Sequence, residues 1–181
     1  ILLGFEGEIK LIDFGLASAY VGTHSSIALE GKLLYMSPEQ ARADDVDARS
    51  DLFSLGVVLY EMISGQLAYS RGLDFKELRR AVIECDIKPL QQTAPQCPTP
   101  LKALIQKLIA PDPEDRHQTA QELINALLSA MEDSGIREGL GVGPWLSASF
   151  SRDYAQLQSA LIQDQHTLSG QLNPATATHL E

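Results

Sequence analysis

Between Leu52 and Ile63 the chain is apolar on every side, interrupted only by Ser54, Gly56 and Glu61. A helix without a polar face has to be buried all round. Whatever this chain folds into must therefore wrap other elements about that stretch. It falls well short of the ~20 apolar residues that a membrane span needs. Its flanks carry helix punctuation: Ser50 or Asp51 as the N-cap, and Ser64-Gly65 as the stop. The run reads as a buried helix in a mainly α-helical body.

The segments after it supply partners. Asp74 and Glu77 form a capping pair for a helix running to about Glu84, with Leu78, Ala81 and Val82 facing inward. A proline-rich connector spans Pro89 to Pro98. Thr99-Pro100 then opens a helix with a cap and a first-turn proline, in which Leu101, Leu104, Ile105, Leu108 and Ile109 share one side. Pro111 to Arg116 breaks that helix. Thr119 and Glu122 make a capping box for another, with Leu123, Leu127 and Met131 on its inner face. At the other end, Ile1 to Leu3 and Glu8 to Ile12 flank Gly4-Phe5-Glu6-Gly7, the pattern of one small β-hairpin.

The hairpin leads into Asp13-Phe14-Gly15, which places a carboxylate at a strand tip beside a glycine that lets the backbone turn. Such a carboxylate suits a hard divalent cation that bridges phosphates. Residues Leu16 to Leu34 show neither helical nor strand periodicity and carry Thr23, Ser25 and Ser26, with Gly22 and Gly31 as flexible points. A loop of that length inside a compact domain is uncommon unless it is functional. Pro38-Glu39 pins its far end.

Asp13-Phe14-Gly15 followed at this distance by Ser37-Pro38-Glu39 resembles the signature set of eukaryotic-type protein kinases. Two further features match the family: Asp51 before the buried helix, and Asp112-Pro113 followed by Arg116. The resemblance covers Ile1 to about Met131. It implies the larger, C-terminal lobe of a kinase, mainly α with one small hairpin, beginning just after the catalytic loop and without the N-terminal lobe. Asp13 would be the catalytic and magnesium-holding carboxylate. Leu2 would lie under the adenine of ATP and Ile12 just before the metal site, although both also read as plain core aliphatics. Residues 16–34 would be the activation segment, with Thr23, Ser25 and Ser26 as candidate phosphorylation sites. Phe14, Gly15, Asp51, Glu39 and Arg116 would be structural, the last two as a partly buried ion pair. Gly31-Lys32 resembles a subgroup of bacterial Ser/Thr kinases that carry lysine where most have threonine.

Phosphoryl transfer also needs a phosphate-covering loop, a strand lysine and a base for the substrate hydroxyl. None of these is in the chain. The expectation is a Ser/Thr protein kinase in the full-length protein, using ATP and Mg2+ on protein substrates, with this segment inactive alone. An apolar surface is expected around Leu2, Phe14 and Asp51. Two rival readings stand beside it: a pseudokinase scaffold, and an all-helical interaction module.

Composition narrows the partners. With 24 acidic against 14 basic residues and a formal charge of −10, nucleic acid and anionic membranes are disfavoured. Cys85 and Cys97, the only cysteines, are too few for a disulfide framework and fit a reducing cytoplasm. After residue 132 the composition turns to Gly, Ser, Gln and Thr. Residues 133–181 read as linker and partly ordered tail, with one short helix over Tyr154 to Ile162 and Trp145 either docked or in a loop.

Overall fold

The computed structural model describes residues 1–12, 31–70, 72–136, 142–152, 155–156 and 159. They belong to two units: a helical body over 31–136, and the hairpin together with the segment from Val142.

In the body, residues 31–33 are helical, followed by α1 (Pro38–Arg42), α2 (Ala48–Ser64), α3 (Phe75–Glu84), α4 (Leu90–Thr93), α5 (Thr99–Leu108), a 3-10 turn (Pro113–Asp115) and α6 (Ala120–Asp133). Helix α2 packs on α5 and α4, α5 on α6, and α1 on α3. The core is built where those contacts meet: Phe53, Val57 and Tyr60 from α2, Val82 from α3, Leu90 from α4, and Ile105 and Leu108 from α5, all essentially closed to solvent. The central helix is thus enclosed along most of its length. Its last turn is not, because Met62 is 73% exposed.

Gly56 sits where α2 and α5 approach most closely. A Cβ there would lie 2.7 Å from Leu108 Cβ and 2.8 Å from Ile109 Cγ2, so the absence of a side chain is what lets the two backbones close.

Capping follows the expected chemistry at some ends and departs from it at others. Asp74 and Glu77 form a reciprocal capping box on α3, and Gly65 closes α2 with φ of 65°. The N-cap of α2, however, is Asp47, which accepts from Arg49 N, one turn before Ser50 and Asp51. Helix α5 has Pro98 at its N-cap, with no side-chain cap, and Thr99 lies inside the helix. Thr119 caps α6 by accepting from Glu122 N, but the Glu122 carboxylate bonds Gln118 N, Lys107 Nζ and His117 Nδ1. A short helix, α4, forms within the proline-rich connector. Ala43 and Cys85 end α1 and α3 in the left-handed region, at φ of 64° and 50°.

In the other unit, β1 (Leu2–Leu3) and β2 (Ile9–Lys10) are antiparallel, with Leu2 opposite Lys10 and Leu3 opposite Ile9. The turn closes through Gly4 N to Glu8 O and Gly7 N to Gly4 O. Helix α7 (Val142–Ser149) follows, so the backbone at Trp145 is helical and not a loop. Gly143 lies against the hairpin turn, where a Cβ would be 2.8 Å from Phe5 O. Tyr154, Leu157, Leu161 and Ile162 lie outside the described residues.

Gly56→Ala is expected to lower stability by about 1–3 kcal/mol through overpacking, against a helix-propensity gain of up to ~1 kcal/mol. A urea midpoint that stays put or rises would show that α2 and α5 do not meet as closely as this.

Candidate functional site

Three polar positions on the apolar helix fall on one face. Ser50, Ser54 and Glu61 are spaced by four and seven, close to whole helical turns. All three hold the segment leading into α1. Ser54 Oγ donates to Tyr35 O at 2.7 Å. Tyr35 Oη donates to Glu61 Oε2 at 2.9 Å, and Ala68 N donates to Glu61 Oε1 at 3.2 Å. Ser50 Oγ donates to Glu39 Oε1 at 2.6 Å. The N-cap of α1, Ser37, forms a reciprocal box with Gln40 and has Pro38 directly behind it. From Tyr35 to Glu39 the chain is therefore laid along α2 and held at three points.

The last of these points is the strongest. Arg116 Nη1 meets Glu39 Oε1 at 2.7 Å and Nη2 meets Oε2 at 2.8 Å, a two-pronged contact between residues 77 apart in sequence. The remaining guanidinium hydrogens go to carbonyls: Nε to Ala110 O, Nη2 to Pro111 O and Nη1 to Arg49 O. An arginine has five N–H donors, and each has an acceptor here. The guanidinium carbon also lies 4.8 Å from the centre of the Phe53 ring, within cation–π range. Arg116 is 1% and Glu39 4% exposed. Burial pushes the Glu39 carboxyl up, but hydrogen bonds from Arg116 and Ser50 outweigh it and hold the group at about 2.

The structure places the remaining candidates as follows. Lys32 and Gly31 are exposed on the helical turn at 31–33. Asp51 is exposed in the first turn of α2. Leu2 lies opposite Lys10 in the hairpin, and Ile12 follows the end of β2 by two residues. Both are about half exposed, as are Ile1, Leu3, Ile9 and Leu11, so the N-terminal part of the expected apolar surface is present. Asp13, Phe14, Gly15, Thr23, Ser25 and Ser26 lie outside the described residues. Tyr35, Ser50, Ser54 and Glu61 did not emerge as site residues from the sequence. The signal that finds them is the spacing of polar side chains in an otherwise apolar helix.

A glutamate pinned behind a proline by a buried arginine, at the end of a long segment that starts from Asp13, is a constellation of the protein-kinase large lobe. Residues 1–128 match the family model described as the protein kinase domain. The chain belongs to the protein kinase family. It is 36% identical over 155 residues to tyrosine-protein kinase MasK of Myxococcus xanthus, covering 83% of this chain and 24% of that protein. It is 36% identical over 136 residues to serine/threonine-protein kinase PknB of Mycolicibacterium smegmatis, covering 73% of this chain and 22% of that one. It is also 34% identical over 139 residues to a probable serine/threonine-protein kinase of Clostridium perfringens, covering 75% and 20%. The chain thus spans about a fifth to a quarter of the length of the curated relatives it matches.

Removing one partner of the ion pair strands a buried charge. Arg116→Met and Glu39→Gln are each expected to lower stability by about 3–5 kcal/mol, and losses below ~1 kcal/mol would mean that the pair is solvated. The low Glu39 value sets a pH window. A carboxyl depressed from 4.5 to about 2 contributes stability that is complete above pH 4.5 and is lost as pH falls toward 2. That contribution is roughly 3 kcal/mol. Glu39→Gln should flatten the acid limb of the stability curve over that interval. Tyr35→Phe removes a hydrogen bond to a carboxylate and is expected to cost about 1.5–3 kcal/mol, measured by urea unfolding.

Proposed function

We propose that this chain is the large-lobe part of a protein kinase that, in the complete protein, transfers the γ-phosphoryl group of ATP to serine or threonine hydroxyls of protein substrates. The observation that carries the reading is the buried Glu39–Arg116 contact at the downstream end of the segment opened by Asp13. Residues 1–132 form the partial kinase domain and 133–181 a linker and tail. Magnesium, when bound, neutralises charge on the transferring phosphates, and Asp13 would hold it. The half-exposed aliphatic side chains of Leu2 in the hairpin and Ile12 just after it are apolar surface of the kind a flat ring such as adenine rests on. Thr23, Ser25 and Ser26 are the candidate sites through which phosphorylation would order the segment, with Gly31 and Lys32 near its end. The substrate hydroxyl, the base that takes its proton and the second metal ligand are contributed by groups this chain does not contain, so the 181-residue chain alone is inactive. A cytoplasmic setting agrees with two free, half-buried cysteines, of which Cys85 is pushed up to about 11 by burial. Among the described residues no helix is long and apolar enough to cross a membrane.

The test is phosphoryl transfer by the full-length protein from magnesium-ATP to a general protein acceptor, with phosphoamino acid analysis. Phosphoserine and phosphothreonine are expected, incorporation is abolished by Asp13→Asn, and the 181-residue chain shows none. Phosphotyrosine as the main product would replace the Ser/Thr assignment with the specificity named for MasK. No incorporation by a folded full-length protein would favour the pseudokinase reading, in which Lys32 marks divergence from catalysis.

A further inference from the structure

The backbone carbonyl of Arg49 receives Arg116, but its side chain has a separate set of contacts, to Asp47, Glu114 and Gln118. Its Nε and Nη2 grip the carboxylate of Asp47, with Nη2 at 2.8 Å from Oδ2. Its Nη1 reaches across to Glu114 Oε1 and Gln118 Oε1, both at 2.8 Å. Glu114 and Gln118 lie two residues before and two after Arg116. Gln118 in turn donates through Nε2 to Pro113 O, Glu114 O and Arg116 O. On the inner side, the carbonyl of Arg49 accepts from Arg116 Nη1 at 3.2 Å. Arg49 thus holds the loop bearing Arg116 from outside while its backbone receives the guanidinium from inside.

We infer that Arg49 is a positioning residue: by clasping Glu114 and Gln118 it fixes the loop over 112–118 so that the Arg116 fork meets both oxygens of Glu39. The physical ground is that Arg116 comes from a stretch with little regular structure, a single 3-10 turn. A two-pronged contact requires both position and orientation, and a loop supplies neither without cross-bracing. The side chain of Arg49 is 20% exposed and that of Glu114 75%. Contacts so exposed add little stability of their own, so the effect of Arg49 is directed at geometry. The inference uses the anchor contact itself and does not depend on the protein's transferring phosphate.

The test is NMR titration of the Glu39 carboxyl in the 181-residue chain. The charged and titratable groups around Glu39 are Arg116, Asp47 and the Cys85 thiol. Arg49→Gln is expected to raise the Glu39 titration midpoint by about one pH unit, a tenfold change in proton affinity. Loss of cover over Asp47 would push in the same direction. The deciding variant is therefore Glu114→Ala, which leaves the Asp47–Arg49 contact and the Gln118 bonds to the loop carbonyls intact. Removing the Glu114 charge through space lowers the Glu39 midpoint or leaves it unchanged, whereas loosening the Arg116 loop raises it. A rise in Glu114→Ala supports the clasp; no change or a fall overturns it. Gln106→Ala, which breaks an exposed hydrogen bond to Gln91 away from this loop and changes no charge, should leave the midpoint in place. A matching rise there would show general destabilisation and would equally overturn the assignment.

Discussion

Two charges taken out of water at residues 39 and 116 organise this molecule. Withdrawing a carboxylate and a guanidinium from solvent is unfavourable by several kcal/mol per ion unless each lone pair and proton is used. Here every Arg116 donor is used and both Glu39 oxygens are engaged: Glu39 receives Arg116 twice and Ser50 once, and Arg116 spends its other donors on the carbonyls of Arg49, Ala110 and Pro111. Those partners lie in α1, the start of α2 and the end of the α5 segment. The pair can be satisfied only when all three are correctly placed, so it specifies an arrangement more than it adds stability. It joins the downstream end of the Asp13 segment to the body with little freedom to drift.

The central helix serves two purposes with one sequence. Phe53, Val57 and Tyr60 form the core, and Gly56 lets α5 come close. Ser50, Ser54 and Glu61 lie on the strip beside that core face and receive the chain from Tyr35 to Glu39. A wholly apolar helix would be buried just as well but would leave Tyr35 Oη and Tyr35 O without these partners. The interruptions in the apolar run are thus where the segment is gripped, and the protein-kinase assignment draws on that grip together with the family match.

The fold was legible where local chemistry decides it. Apolar periodicity located the inward faces of α3 and α5, and the Asp74–Glu77 and Ser64-Gly65 signals marked real ends. Local rules failed where a side chain was wanted elsewhere. Ser50 is a good N-cap by type, but its hydroxyl is committed to Glu39, and Asp47 caps instead. Glu122 is correctly spaced for a capping box, yet Lys107, His117 and Gln118 claim its carboxylate. Thr99 is displaced from the cap by Pro98, whose backbone already leads into the helix. At Ser50 and Glu122 other partners claim the side chain, from as far as Glu39 and Lys107, whereas at Thr99 the neighbouring proline decides.

By itself the sequence determined the helical class, the buried character of the 52–63 run and the small hairpin, which follow from periodicity and from residue types whose backbone preferences act over a few positions. The kinase lobe came from the resemblance of its motif set to that family. Only the tertiary structure decided that Arg116 uses all five donors, that Ser50, Ser54 and Glu61 form one gripping face, and that Arg49 braces the loop beyond. Those outcomes depend on which distant groups arrive at the same point in space with unsatisfied hydrogen bonds, and sequence spacing alone does not encode that.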